Sequence, residues 1–162
     1  MKKVIVIGCP GSGKSTFSRA LHSSTGLPLV HLDMLFWNAD KTTVEKDVFL
    51  QRLQAVLQQE EWILDGNFSS TLDLRMQKCD TVFFLDYPVE VCLTGVRSRI
   101  GTQRTDIPWL ESEEDPEFME YIRNFSGGHR AQILQLLAKH NDKEIHSFTS
   151  REEAEQFLNQ SE

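Results

Sequence analysis

The chain has 162 residues, 40% of them hydrophobic and 25% charged, the size and balance of one globular domain; this argues against disorder, collagen-like repetition and a disulfide scaffold. Lys and Arg number 17 against 24 Asp and Glu, a formal net charge of -7, and a field of that sign repels polyanions, so direct nucleic-acid binding is not expected. Cys9, Cys79 and Cys92 are widely spaced without a C-x-x-C pair, as in a reducing compartment, and the apolar run over 4–7 is too short for a signal or membrane segment. A cytoplasmic monomer or homodimer is expected, with a small molecule as partner and no membrane.

Four β-branched residues over 4–7 are closed by Gly8 and read as a central strand, buried on both faces of a parallel sheet. A glycine-rich turn follows, then a helix from Lys14 to a stop near Gly26. A short strand is expected over 29–32. Thr42-x-x-Glu45 has the form of a capping box opening a helix whose Phe49, Leu53, Val56 and Leu57 share one face. Two further apolar strands, over 62–64 and 81–85, end in Asp65 and Asp86. Residues 89–99 read as helix, and the polar, acidic stretch over 101–115 as a surface excursion. Asp115-Pro116 has N-cap and N1 chemistry for a helix that Ser126-Gly127-Gly128 interrupts before it resumes over 130–139. A last strand over 144–148 and a helix capped by Ser150-x-x-Glu153, with Ala154, Phe157 and Leu158 inward, complete the chain. Strands alternating with helices imply one doubly wound α/β domain over 1–162, with ligands outside the carboxyl ends of the strands.

Gly8-Cys9-Pro10-Gly11-Ser12-Gly13-Lys14-Ser15 satisfies G-x-x-x-x-G-K-[ST] between strand and helix. In such a loop the backbone N–H groups and the helix N-terminus cradle phosphates, so Gly8, Gly11, Ser12, Gly13, Lys14, Ser15 and Thr16 are expected to bind ATP. Lys14 would reach the β- and γ-phosphates, and the Ser15 hydroxyl would face Mg2+. Cys9 occupies a free position of the loop, where the helix N-terminus would lower its pKa; the simpler reading is a small tolerated residue. Phe36 and Trp37 offer a flat wall for a base or sugar, or are simply core. The five histidines show no ligand spacing.

The loop together with Asp33-Met34-Leu35, Leu64-Asp65-Gly66-Asn67, Leu85-Asp86-Tyr87-Pro88 and Arg99 resembles the adenylate-kinase-like P-loop kinases. Within them, His31-Leu32-Asp33-x-Leu35-Phe36-Trp37 and the stretch from Asp65 to Arg75 resemble the topology modulation proteins. The resemblance implies a five-stranded parallel sheet, an acceptor-binding segment over about 31–77 and a lid over about 100–130. It implies that Asp65 takes the Walker B place and holds Mg2+ with Ser15, and that Arg99 opens the lid and contacts the transferring phosphate. Arg123 and Arg130 are seven residues apart, so on a continuous helix they would share a face that closes on the nucleotide. Asp33 would orient the acceptor, with Trp37 and Asn67 as further contacts. The family's two acceptor-phosphate arginines are Phe36 and Ser69 here, so Arg75 is the cation left to replace them; its adenine-stacking arginine is Gly95, with Arg97 as a substitute. The expected activity is ATP- and Mg2+-dependent phosphotransfer to a nucleotide or nucleoside-like acceptor. The alternatives are a metabolite kinase of the shikimate or gluconate type and a nucleotide-binding regulatory protein linked to DNA topology.

Overall fold

In the computed structural model, which describes residues 1–102, 106–109 and 113–160, the N-terminal β-branched run forms β1 (Lys3–Gly8), and residues 4–7 have no exposed surface. The elements that follow are α1 (Lys14–Thr25), β2 (Leu29–His31), α2 (Leu32–Phe36), α3 (Lys46–Leu57), β3 (Trp62–Asp65), α4 (Ser69–Lys78), β4 (Thr81–Leu85) and α5 (Val89–Arg99). After them come α6 (Pro116–Arg123), a 3-10 turn (Phe125–Gly127), α7 (His129–Lys139), β5 (Glu144–Phe148) and α8 (Arg151–Gln160). The five strands run parallel in the order β2-β3-β1-β4-β5. Parallel neighbours need crossover connections, so helices flank the sheet and the interiors of its central strands are apolar, with polar residues only at their ends. This is the α/β doubly wound architecture the alternating pattern implies.

Register puts the chemistry at one edge. Asp65 lies opposite both Val6 and His31, and Gly8 lies opposite Leu85, so the carboxyl ends of the first four strands finish side by side. At the other edge the Asp80 carboxylate accepts from the Lys2 and Lys3 amides at 2.9 Å and ties the start of β1 to that of β4. One flank of the core is aromatic: Phe17 of α1 and Phe157 of α8 each meet the Phe83 ring of β4, at centroid distances of 5.0 and 5.2 Å.

The structure departs locally from the sequence expectation. The second strand ends at His31, and Leu32 already belongs to α2. Thr42 caps no helix. It is used in a small hairpin in which Trp37 bridges Thr43, Asn38 N–H donates to the Thr42 carbonyl at 2.8 Å, and Lys41 adopts φ +69° at the turn. Glu45 then stands at the N-terminus of α3 without a side-chain cap. The Asp115 cap is present, accepting from the Glu117 and Phe118 amides. So is the last one, where Ser150 Oγ accepts from Glu153 N–H and the Glu153 carboxylate accepts from Thr149 N–H. Helix α4 has no counterpart in the expected elements.

Candidate active site

The loop between β1 and α1 is shaped by contact with α5. Gly11 has φ +85°, and a Cβ there would stand 2.0 Å from the Cys92 carbonyl oxygen; a Cβ on Gly95 would stand 2.1 Å from the Gly11 carbonyl oxygen. Backbone therefore lies directly on backbone, and only glycine fits at either position. Gly95, which the family comparison reads as a lost adenine-stacking arginine, is required here by that packing. Two side chains from distant segments brace the same loop. Asn67 pairs with the end of β1, donating from Nδ2 to the Gly8 carbonyl at 2.6 Å and accepting from Gly8 N–H at 3.1 Å. Arg151, at the start of α8, donates to the Ser12 and Gly11 carbonyls at 3.0 and 3.1 Å, with its guanidinium 5.6 Å over the Tyr87 ring.

An open cleft of about 1790 Å³ runs from this loop across the carboxyl ends of the strands. Gly11, Gly13, Lys14, Ser15, Thr16, Asp33, Trp37, Asp65, Asn67 and Arg99 all line it. Gly8 and Ser12 lie behind the wall, and the Ser12 hydroxyl is buried with no hydrogen-bond partner among the described residues. Lys14 Nζ donates to the Cys9 carbonyl at 3.4 Å. Burial lowers the Lys14 pKa by desolvating the ammonium, while the Asp65 and Asp33 carboxylates act in the opposite sense. Arg19, one turn along α1, donates to the Ser15 and Thr16 hydroxyls at 2.6 and 3.3 Å.

Asp65 is almost fully buried and its Oδ2 lies 2.7 Å from His31 Nδ1. Burial disfavours the imidazolium, but the hydrogen bond and charge of Asp65 outweigh it and raise the His31 pKa. One carboxylate oxygen is thus held by the neighbouring strand and the other stays available as an acceptor.

Other expected site residues lie elsewhere. Arg75 has no exposed surface. Its guanidinium turns into the β3–α4 connection, where it donates to the Gly66 carbonyl at 3.0 Å, the Phe68 carbonyl at 3.1 Å, the Asn67 carbonyl, and Thr71 Oγ1 at 3.2 Å. A guanidinium spent on backbone oxygens cannot also grip an acceptor phosphate, so Arg75 is a structural residue of this turn. Arg123 and Arg130 do not share a face, because the 3-10 turn breaks the helix between them. Arg123 pairs with Glu120 at 3.2 Å on the exposed side, and Arg130 pairs with both oxygens of Asp86 at 2.8 and 2.9 Å; neither lines the cleft. Arg97 is on Glu114 at 2.6 Å and lies off the cleft wall. The Cys9 thiol is raised, through its hydrogen bond with Cys92 and burial, against the expected lowering by the helix N-terminus. The expected lid, 100–130, includes residues 103–105 and 110–112, which lie outside the described residues.

Sequence reasoning missed three contributors. His31 carries no ligand spacing, and its role follows only from the strand register. Trp109 sits in a stretch without periodicity, and it closes on Trp37 edge-on at 5.3 Å. Arg151 was legible only as the residue after a capping serine.

Among the described residues, no helix is long and apolar enough to cross a membrane. No family model matches the chain, and no curated protein matches it. Among solved structures it is similar to the shikimate kinase from Acinetobacter baumannii in complex with shikimate, with a TM-score of 0.64 and 15% identity over 99% of this chain and 90% of that one. It is also similar to the shikimate kinase from Bacteroides thetaiotaomicron, with a TM-score of 0.57 and 20% identity over 97% and 94% of the two chains. At these identities the likeness is one of architecture: the chain has the five-stranded, all-parallel P-loop fold of the shikimate kinases.

Proposed function

We propose that this protein is an ATP- and Mg2+-dependent phosphotransferase acting on the hydroxyl group of a small acceptor. The observation that carries the reading is that one cleft joins the phosphate-binding loop to a second wall bearing Asp33 and Trp37, with volume for a nucleotide and a small molecule together. The residues fit the nucleotide. The glycine backbone of the loop is a partner for phosphate oxygens, and Lys14 supplies a charge at its mouth. They fit Mg2+ as well: the Asp65 carboxylate and the Ser15 hydroxyl, once it exchanges its bond from Arg19 for the ion, offer two oxygen ligands, and this ion takes most of its remaining contacts from water and phosphate. When bound at Ser15 and Asp65, Mg2+ would supply positive charge that neutralises the phosphates.

The chain's own contribution is positioning and charge. Lys14 and Arg99 balance the charge spread over the transferring group. Asp33 accepts a hydrogen bond from the acceptor hydroxyl, whose oxygen forms the new bond to the γ-phosphorus while the bond to the β,γ-bridging oxygen breaks; ADP leaves with that electron pair and the hydroxyl proton passes by way of Asp33 to solvent. His31 holds Asp65 in one orientation. A metabolite kinase of the shikimate type is the second reading, favoured by the fold likeness and by the shikimate bound in one neighbour.

The test is a transfer screen with γ-labelled ATP and Mg2+ over monophosphates, nucleosides and hydroxylated metabolites, run in parallel with Lys14→Ala. Label transfer by the parent and its loss in the variant support the reading; a screen without transfer overturns it.

A further inference from the structure

We infer that Arg151 is a positioning residue for the donor phosphates: holding two successive peptide groups of the loop by their carbonyls, it aims the Gly13 N–H at the phosphate site. This deepens the phosphotransferase reading and rests on it for the identity of the ligand.

Three observations lead there. The first is which peptides are fixed, and by what. The Gly13 carbonyl accepts from Phe17 N–H at 2.9 Å, so α1 itself orients the peptide that carries the Lys14 N–H. The two peptides before it lie outside the helix, and their carbonyls, on Gly11 and Ser12, are the ones that Arg151 takes, at 3.1 and 3.0 Å. Among the described residues every peptide bond is trans, and in a trans peptide the C=O and N–H point in opposite directions. Fixing the Gly11 carbonyl therefore supports the turn in which Ser12 N–H donates to the Cys9 carbonyl at 3.0 Å, and fixing the Ser12 carbonyl turns Gly13 N–H away from Arg151. Among the described residues that N–H donates to no protein group, and Gly13 lines the cleft.

The second observation is how the guanidinium is held. It lies 5.6 Å over the ring of the buried Tyr87. The helix that carries it is pinned at its start, where Ser150 Oγ accepts from Glu153 N–H at 3.2 Å and the Glu153 carboxylate accepts from Thr149 N–H at 3.0 Å. A planar fork with two donors sets two carbonyls at once, and its charge polarises both peptides so that their N–H groups become better donors. The third observation is the space left for it. A Cβ on Gly13 would stand 2.8 Å from Arg151 Nη1, and one on Gly95 would stand 3.1 Å from Nη2. Gly11 and Gly13 also hold φ +85° and +97°, left-handed values of the kind that gather successive N–H groups into an anion-binding concavity.

The experiment titrates the parent and Arg151→Ala calorimetrically with MgATP and with tripolyphosphate plus Mg2+, beside urea unfolding of each protein. Both ligands should bind the variant about tenfold more weakly, the scale of one charge-assisted contact. Millimolar guanidinium should restore most of that affinity, and sodium at the same ionic strength should not. A lowered unfolding midpoint with both affinities at the parent's values would make Arg151 only a tie between α8 and the loop, and overturns the inference. Weakened MgATP with unchanged tripolyphosphate would put Arg151 on the base or ribose, and overturns it too, as does a loss that guanidinium leaves in place. If the alanine variant does not fold, Arg151→Lys decides, because it keeps the charge without the planar fork. Weaker binding of both ligands by that variant supports the inference, and binding equal to the parent's overturns it. In all these cases the parent binds MgATP and the phosphotransferase reading stands; a parent that binds neither ligand overturns both.

Discussion

A methyl group added at position 95 would meet the Gly11 carbonyl oxygen at 2.1 Å, a contact that only movement of the loop or of α5 can relieve. Gly95→Ala is therefore expected to weaken MgATP binding and to destabilise the fold by roughly 1–3 kcal/mol, read by calorimetric titration and urea unfolding; unchanged affinity and stability would show that the loop yields freely. Arg75 makes the opposite kind of claim. Its removal in Arg75→Met takes the donor from the buried Gly66 carbonyl and from the partly buried Asn67 and Phe68 carbonyls, at about 1–3 kcal/mol for a buried acceptor left unpaired. Loss of roughly 3 kcal/mol or more in urea unfolding is predicted; an unaltered midpoint with a raised acceptor KM would restore Arg75 to the acceptor site. Lys14 lines the cleft instead of supporting the core, so Lys14→Ala should lower kcat by about 100- to 1,000-fold, the scale for one preorganised donor to developing charge, with its circular dichroism and unfolding midpoint near those of the parent.

Elements differ in how openly the sequence declares them. β1 and its loop were legible because an unbroken β-branched run and a spaced glycine pattern each have one physical meaning, and the Asp115 and Ser150 caps were legible for the same reason. Helix α4 was not, because its inward positions are Thr71, Leu72, Arg75 and Met76, and an arginine in the buried stripe erases the apolar period. The Thr42 box failed because a threonine three residues before a glutamate also suits a hairpin turn, and long-range pairing with Trp37 decided between them. The lid arginines differ: their spacing fits one helix face, the break at Phe125–Gly127 falls at the interruption that Ser126-Gly127-Gly128 announces, and only the pairing of Arg130 with Asp86 depends on packing between elements. Pairing of β1 with β4 offers an element-scale test. Burial works against the Asp80 charge, yet hydrogen bonds from the Thr81 hydroxyl and the Lys3 and Lys2 amides hold its pKa below the ordinary aspartate value. A lowered folded-state pKa stabilises above the unfolded value and is lost as pH falls through the folded one. Asp80→Ala should therefore cost about 1 kcal/mol or less at pH 7, discounted for solvent screening, and the difference from the parent should shrink below about pH 4; a difference independent of pH would mean that the charge plays no part.

At the scale of the whole molecule, the sheet brings the loop after β1, the acid ending β3 and the wall after β2 to one edge, and α8 returns from the far end of the chain to grip the loop through Arg151. Ligand binding at such a junction should stabilise the entire fold. MgATP at a hundred times its Kd is expected to add about 2.7 kcal/mol, raising Tm by roughly 5–10 °C for a chain of this size, and the gain should be largely absent in Lys14→Ala. The central claim is transfer to an acceptor rather than to water, and phosphorus NMR of the protein with ATP, Mg2+ and a nucleoside acceptor resolves the two. The account predicts one new phosphomonoester resonance for each ADP formed, with little inorganic phosphate. ADP accompanied only by inorganic phosphate, or no ADP at all, would contradict it.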